Sequence, residues 1–252
     1  MRKIALITGA TSGIGKATAE ILAQNGYNLI LTGRRMELLT DLSSSIQKQT
    51  EAKVHLLNFD VRDLQATEKA LNSIPTEWSD ISVLINNAGL AVGLNPVHEG
   101  VVDDWERMID TNVKGLLYVS KIISPQMVAK QAGHIINISS IAGHEYYPNG
   151  AAYCGTKHAV KAITKAMRME LLPYGIKVSA ISPGMVDTEF SLVRFKGDKI
   201  KADNVYQGLT PLYAQDIAES ILFMVNRPLH VNIEELIIMP TDQASARDYR
   251  RR

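Results

Sequence analysis

Tyr153 and Lys157 stand four residues apart in AAYCGTKHAVKA, residues 151–162. On a helix that spacing puts both side chains on one face, close enough to feel each other's charge. A phenol titrates near ~10, and an adjacent ammonium favours the phenolate and lowers that value. The pair fits either a tyrosine working as general acid/base with a lysine tuning it or two surface residues on one helical face, and the rest of the chain decides between them. Near the start of the chain, TGATSGIG at 8–15 carries Gly9, Gly13 and Gly15, with Thr11, Ser12 and Ile14 between them. Such glycines allow a tight turn, close approach of a pyrophosphate to the backbone and close packing of helix on strand. The spacing is G-x-x-x-G-x-G rather than G-x-G-x-x-G, but it follows an N-terminal strand pattern and precedes an apolar helix, which points to a dinucleotide site. About 20 residues further on, a carboxylate would hold the ribose 2′-hydroxyl of NAD. The chain instead reads LTGRR, with no acid at Gly33 and with Arg34 and Arg35 following at once. Two guanidiniums suit a 2′-phosphate, so NADP(H) is expected over NAD(H).

The elements that would position these residues alternate between short branched apolar runs and helical patterns, the signature of βαβ units and a parallel sheet. Seven strands are expected, at KIALIT, NLILTG, KVHLLNFD, SVLINNAG, HIINISS, IKVSAISPG and ELIIMP. Helices follow the first three, closed by Gly26 in the first case, and long helical patterns fill about 101–130 and 152–173. The fold class expected is α/β: a Rossmann-like doubly wound parallel sheet with helices on both faces, in one domain over 1–252. Ligands in such sheets bind at the carboxyl ends of strands, where every motif above falls.

Totals bound the rest. The chain has 252 residues, 46% hydrophobic and 21% charged, with a formal net charge of +1. That charge leaves no electrostatic footprint for nucleic acid or anionic membrane. The single cysteine, Cys154, excludes an intrachain disulfide and fits a reducing compartment. No apolar run matches a secretory signal or a membrane span, so a cytoplasmic location is expected. The six histidines show no close pair at ligand spacing, so no metal is expected, and His144 and His158 are assigned surface or packing roles.

With NNAG at 86–89, ISS at 138–140 and PGMVDTEF at 183–190, these motifs resemble the short-chain dehydrogenase/reductase family over nearly the whole chain. The resemblance implies hydride transfer between nicotinamide and an alcohol or carbonyl. It implies that Asp60 and Val61 meet the adenine, that Asn87, Ala88 and Gly89 pass beside the adenosine ribose, and that Pro183, Gly184, Val186 and Thr188 hold the nicotinamide end, with Tyr153 and Lys157 also at the cofactor. Tyr153 would exchange the substrate proton, its phenol lowered by Lys157 and by the oxidised ring. Ser140 would hydrogen-bond the substrate oxygen. Its neighbour Ser139 points to the other side of the strand by alternation, and the family pattern also selects Ser140. Asn112, in DTNVKG, resembles the family asparagine that holds a water linking the lysine to solvent. By position alone it is a polar residue inside a helix, unfavourable by propensity.

The loop after strand six, 185–208, is expected to cover the substrate. Phe190, Phe195 and Tyr206 are its candidate covers, and Arg194, Lys196, Lys199 and Lys201 its candidate receivers of a carboxylate. NNAGLAVGLNPVHEG, TEFSLVRFKGD and HVNIEELIIMP are similar to a narrower subgroup, the NADP-dependent 3-hydroxy acid dehydrogenases, which implies serine, allo-threonine and related acids as substrates met by Ser140, Tyr153 and Arg194. A 3-oxoacyl carrier-protein reductase would share the catalytic set, and a non-catalytic NADP-sensing protein would share the fold. Single-domain members of the family form tetramers, so a homotetramer is expected. The tail ARDYRRR reads as solvated and mobile.

Overall fold

The computed structural model describes residues 2–252. Each expected branched run forms a strand: β1 (Ile4–Ile7), β2 (Asn28–Gly33), β3 (Val54–Asn58), β4 (Ile81–Asn86), β5 (His134–Ile138) and β6 (Lys177–Pro183), with ELII forming the edge strand Glu235–Ile238. All seven are parallel, in the order 3-2-1-4-5-6-edge, and the direction of winding reverses between β1 and β4. Helices cover both faces, which is why the strands read as continuous rather than alternating apolar runs. Ile7 pairs with Ile85, Ile85 with Ile136 and Asn137 with Ala180, so the carboxyl ends of β1, β4, β5 and β6 form one rim.

On one face lie α1 (Gly13–Gln24) and α2 (Met36–Gln49), whose Ala19, Leu22, Leu39 and Leu42 share a core with Ile7, Leu29 and Ile85. The other face carries α3 (Leu64–Asn72), α5 (Leu116–Lys130) and α6 (Ala151–Leu171), with Val119, Ile123, Met127 and Val160 packed on Leu6, Leu84 and Ile135. Preceding α5 is α4 (Val102–Ile109), and residues 110–115 between them wind as a π-helix, a form that often marks a functional position.

Three expectations change here. The segment 185–208 is not a plain loop: it holds α7 (Glu189–Arg194) and α8 (Lys199–Asn204), and a two-stranded parallel ribbon, β7 (Val186–Asp187) with β8 (Leu212–Tyr213), ties its two ends. A further helix, α9 (Ala214–Val225), lies beside α1 before the edge strand, here β9, and buries Ile217, Ile221 and Met224 in the first core. Finally, residues 246–252 are hydrogen-bonded back onto the body. Residues 247–252 are exposed, as their charged composition leads one to expect, but Arg250 and Arg252 tether them to the buried Asp242.

Candidate active site

The rim of the sheet encloses a cleft of about 350 Å³. Its floor is built by hydrogen bonds between β1 and β4. Thr8 Oγ1 accepts from the amides of Asn87 (3.0 Å) and Ala88 (2.9 Å), while Asn87 Nδ2 donates to the carbonyls of Thr8 (2.9 Å) and Gly9 (3.0 Å). Gly9 and Gly13 have φ of +64° and +52°, the left-handed region that favours glycine, and a Cβ on Gly15 would stand 2.4 Å from Gly9 O. Gly9, Thr11, Ser12, Gly13 and Ile14 face the cleft, with Gly15 behind them as the packing glycine.

At one end stand the two arginines. Arg35 Nη2 donates to Thr11 Oγ1 (3.0 Å) and Ser12 Oγ (3.1 Å), and pairs with Glu189 Oε2 at 3.2 Å. Arg34 Nη1 lies 3.8 Å from Asp60 Oδ2, which Arg62 also holds at 2.7 Å. Burial pushes the Asp60 carboxyl up, but hydrogen bonds from Arg62 and the charges of Arg62 and Arg34 outweigh it, and the group ends below its ordinary value. A Cβ on Gly33 would sit 2.7 Å from Thr11 Cγ2, so an acid at the ribose-binding position requires the Thr11 side chain to shift. Asp60, Val61, Asn87, Ala88 and Gly89 line the middle of the cleft, and Pro183, Gly184, Val186 and Thr188 its far wall. The glycine cradle, a long cleft and a fixed guanidinium at one end fit a phosphorylated dinucleotide.

At the other end Ser140, Tyr153 and Lys157 converge. Ser140 Oγ accepts from the Ala142 amide at 3.1 Å and is a hydrogen-bonding neighbour of the Tyr153 hydroxyl. Lys157 Nζ donates to Ile138 O at 2.8 Å and lies 5.9 Å from the centre of the Tyr153 ring. Ser139 also borders the cleft, but its hydroxyl is buried against Gly143. Asn112 is outside the cleft: its Oδ1 accepts from the Leu90 amide (2.8 Å), and its Nδ2 donates to Leu90 O (2.8 Å) and Thr156 Oγ1 (3.0 Å). The π-helix thus turns this side chain away from a regular helical position and ties the exit of β4 to α6.

The expected lowering of the phenol is corrected for the chain by itself. Burial pushes Tyr153 well above its ordinary value, Tyr147 adds to this, and the opposing pulls of Arg194 and the Ser140 hydroxyl are weaker. Burial also brings Lys157 down to about 8. Sequence spacing shows the ammonium but not the low-dielectric surroundings, and desolvation wins.

Of the candidate carboxylate receivers only Arg194 touches Tyr153, from a small pocket beside the cleft that Trp105 and Tyr147 also line. Its guanidinium lies 5.0 Å from the Tyr153 ring centre and 5.1 Å from that of Phe190, Nη2 donates to Tyr147 Oη at 3.0 Å, and its buried Nε has no protein partner. Lys196 instead pairs with the buried Asp104 at 2.8 Å, and Lys201 with Asp198 at 3.2 Å. Phe190 lines the cleft, whereas Tyr206 bonds Ser191 Oγ (2.7 Å) and Val186 O (2.8 Å) within the segment and does not cover the cleft. Tyr147 and Glu189 were missed from sequence; neither sits in a local pattern that predicts an arginine partner. His144 lies between Glu235 (2.5 Å) and Lys161 (2.7 Å) behind the cleft, and His158 bonds Cys154 O at 2.9 Å. Among the described residues no His, Cys, Asp and Glu side chains group as a metal site.

A hydroxyl, a phenol and an ammonium at the carboxyl-end rim of a doubly wound sheet form an alcohol-oxidising or carbonyl-reducing constellation. A family model described as short chain dehydrogenase matches residues 3–198, and the chain belongs to the short-chain dehydrogenase family. It is 44% identical over 244 residues to the NADP-dependent 3-hydroxy acid dehydrogenase of Salmonella typhi, covering 96% of this chain and 97% of that one. It is 42% identical over 241 residues to the serine 3-dehydrogenase of Agrobacterium fabrum, covering 96% and 95%. The closed form of a serine dehydrogenase complexed with NADP⁺ superposes with a TM-score of 0.93 at 42% identity, over 99% of both chains.

Proposed function

We propose that the protein is an NADP(H)-dependent oxidoreductase that interconverts the C3 hydroxyl and carbonyl of small 3-hydroxy acids such as serine and allo-threonine. The observation that carries the substrate class is Arg194: a guanidinium with an unpartnered buried Nε, held against the ring of the candidate acid/base. A carboxylate bonded there brings the hydroxyl-bearing carbon of a short acid toward Tyr153 and Ser140. The names of the relatives at 42–44% identity support the same reading.

In this assignment the glycine loop, Arg34 and Arg35, Asp60 and Val61, Asn87 to Gly89, and Pro183, Gly184, Val186 and Thr188 hold the cofactor, whose nicotinamide supplies the hydride or its acceptor. Ser140 donates a hydrogen bond to the substrate oxygen. Tyr153 takes the hydroxyl proton during oxidation and returns it during reduction, and Lys157 keeps positive charge behind the phenol. Asn112 holds the backbone beside Lys157. The whole chain works as one catalytic unit with 185–208 as the substrate lid. It assembles as a homotetramer in the cytoplasm; exposed Leu117, Met169, Phe223 and Ile237 supply apolar contact surface, and no described helix is long and apolar enough to cross a membrane.

The test is a survey of 3-hydroxy acids with NADP⁺ beside steroids, sugars and 3-oxoacyl thioesters. Turnover of serine-like acids is expected, and turnover restricted to the other three groups overturns the assignment.

A further inference from the structure

His144 carries more than the surface or packing role expected of it. Its side chain is only 16% exposed, and that of Glu235 beside it 18%. Nδ1 lies 2.7 Å from Lys161 Nζ on α6, and Nε2 lies 2.5 Å from Glu235 Oε1 on β9. The same carboxylate oxygen accepts from Ser182 Oγ on β6 at 2.9 Å. An ammonium can only donate and a carboxylate can only accept. These partners therefore assign the proton to Nε2 and leave Nδ1 bare, so an imidazole in a single tautomer bridges the two charges. The neighbouring charges on this face are engaged elsewhere, Lys165 and Arg168 both lying against Glu234 at 3.9 Å and 3.3 Å.

What the bridge holds is the turn that leaves the sheet at Ser140. Residues 141–143 wind as a 3₁₀ turn capped by Ser140, whose Oγ accepts from the Ala142 amide at 3.1 Å. The His144 amide closes that turn on Ile141 O at 2.9 Å. The turn lies hard against α6: a Cβ on Gly143 would stand 2.8 Å from both Lys157 O and Ser139 Oγ. Lys161 is one helical turn beyond Lys157, on the same face of α6. Ser182 precedes Pro183, whose carbonyl accepts from Ser140 Oγ at the long distance of 3.5 Å. The bonds thus run in a loop from Ser140 through its turn to His144, across Glu235 and Ser182, and back to Ser140. Lys161 fastens that loop to the helix that carries Tyr153 and Lys157.

We propose that His144, Glu235 and Lys161 are positioning residues for the candidate catalytic serine: the imidazole bridge fixes the Ser140 turn against α6 and so sets where the Ser140 hydroxyl stands relative to Tyr153. None of the three lines the cleft, so each acts through the turn and not on substrate. Removing the carboxylate leaves His144 Nε2–H and the buried Ser182 hydroxyl without their acceptor, a cost the turn relieves by moving. The consequence for turnover rests on the proposed function; the consequence for the order of the turn does not.

Three variants are compared with the unaltered protein: His144→Phe, which keeps a ring but no bridge, Glu235→Leu, and Glu235→Gln, which keeps an accepting oxygen. Hydrogen exchange of the amides at 142–145 is expected to accelerate about tenfold in the first two, since losing charge-assisted bonds shifts a local opening equilibrium by about that factor. Their kcat with L-serine and NADP⁺, per NADPH-binding site counted by fluorescence titration, is expected to fall at least about tenfold, because a small misplacement at the reacting oxygen is that costly. The KM for L-serine and the Kd for NADPH should stay within about threefold, since neither the cofactor cradle nor Arg194 is touched. Glu235→Gln should recover most of both losses. Exchange and kcat within about twofold of the unaltered values, or faster exchange at 142–145 with kcat per site unchanged, overturn the proposal. Should Glu235→Leu not fold, His144→Phe decides the comparison alone. If the unaltered protein turns over no 3-hydroxy acid, the functional assignment falls while the exchange comparison still judges the bridge.

Discussion

Burial and charge pull on Tyr153 and Lys157 in ways that set both chemistry and stability. The phenol raised by burial stays protonated at neutral pH and holds the proton that reduction of a carbonyl takes up, while oxidation needs positive charge nearby before the phenolate forms. Tyr153→Phe is expected to lower turnover at least ~10³-fold while NADPH binding, read by its fluorescence, stays within a few-fold. Lys157 is a base whose folded value, about 8, lies below its ordinary 10.5. The unfolded chain then holds more protons between those values, so the penalty is fully present below pH 8 and fades as pH rises towards 10.5. Lys157→Met should abolish turnover yet raise stability at pH 7 by about 1–2 kcal/mol, after allowing for the hydrogen bond lost at Ile138 O. A melt that shows no gain at pH 7, or a gain undiminished at pH 10.5, contradicts this account. Arg35, held in place by Thr11 and Ser12, should be the main partner of a 2′-phosphate. Arg35→Gln is expected to weaken NADPH at least about tenfold and NADH hardly at all in a direct titration.

Strand β5 shows how an element can hide a titrating group. His134 is fully enclosed, with Nε2 at 2.8 Å from Ser179 Oγ, and burial followed by the charge of Lys177 lowers it to about 3. Because the folded state prefers the neutral ring, the unfolded chain binds the extra proton below pH 6.5, and stability falls progressively from there towards pH 3. At pH 4 this one group should cost about 3 kcal/mol relative to pH 7, and His134→Asn should flatten that part of a denaturation series. Equal acid sensitivity in both proteins would exclude His134 as the cause. The other elements that shape the site act by position. The π-helix aims Asn112 at Leu90, and α7 brings Glu189 and Phe190 to the cleft and Arg194 against the Tyr153 ring from a small pocket beside it.

At the scale of the molecule, two cores hold the sheet from opposite faces, and the exposed apolar side chains include Leu117 on α5, Met169 on α6, Phe223 on α9 and Ile237 on β9. Light scattering should return about four times the 27.8 kDa of one chain, and a monomer at micromolar concentration would contradict the assembly. Leu117→Glu or Phe223→Glu should reduce that mass without unfolding the chain, since both side chains are exposed in one protomer.

The sheet, its order of helices and the cofactor loop were legible because their signals are local. A branched run bounded by turn residues, glycines at fixed spacing and paired arginines after β2 carry their meaning within a few residues. Helix α9 was not expected, although Ile217, Ile221 and Met224 stand at helical spacing and Asp216 accepts from the Tyr213 amide at 2.7 Å. What only the tertiary structure decided joins residues far apart: Arg194 with Tyr147 and Tyr153, Arg35 with Glu189, the tail with Met185 and Gly208, and the direction in which the phenol's pKa moves. Each depends on which groups lose water together. Desolvation is a property of the packed chain, and no spacing along a sequence records it.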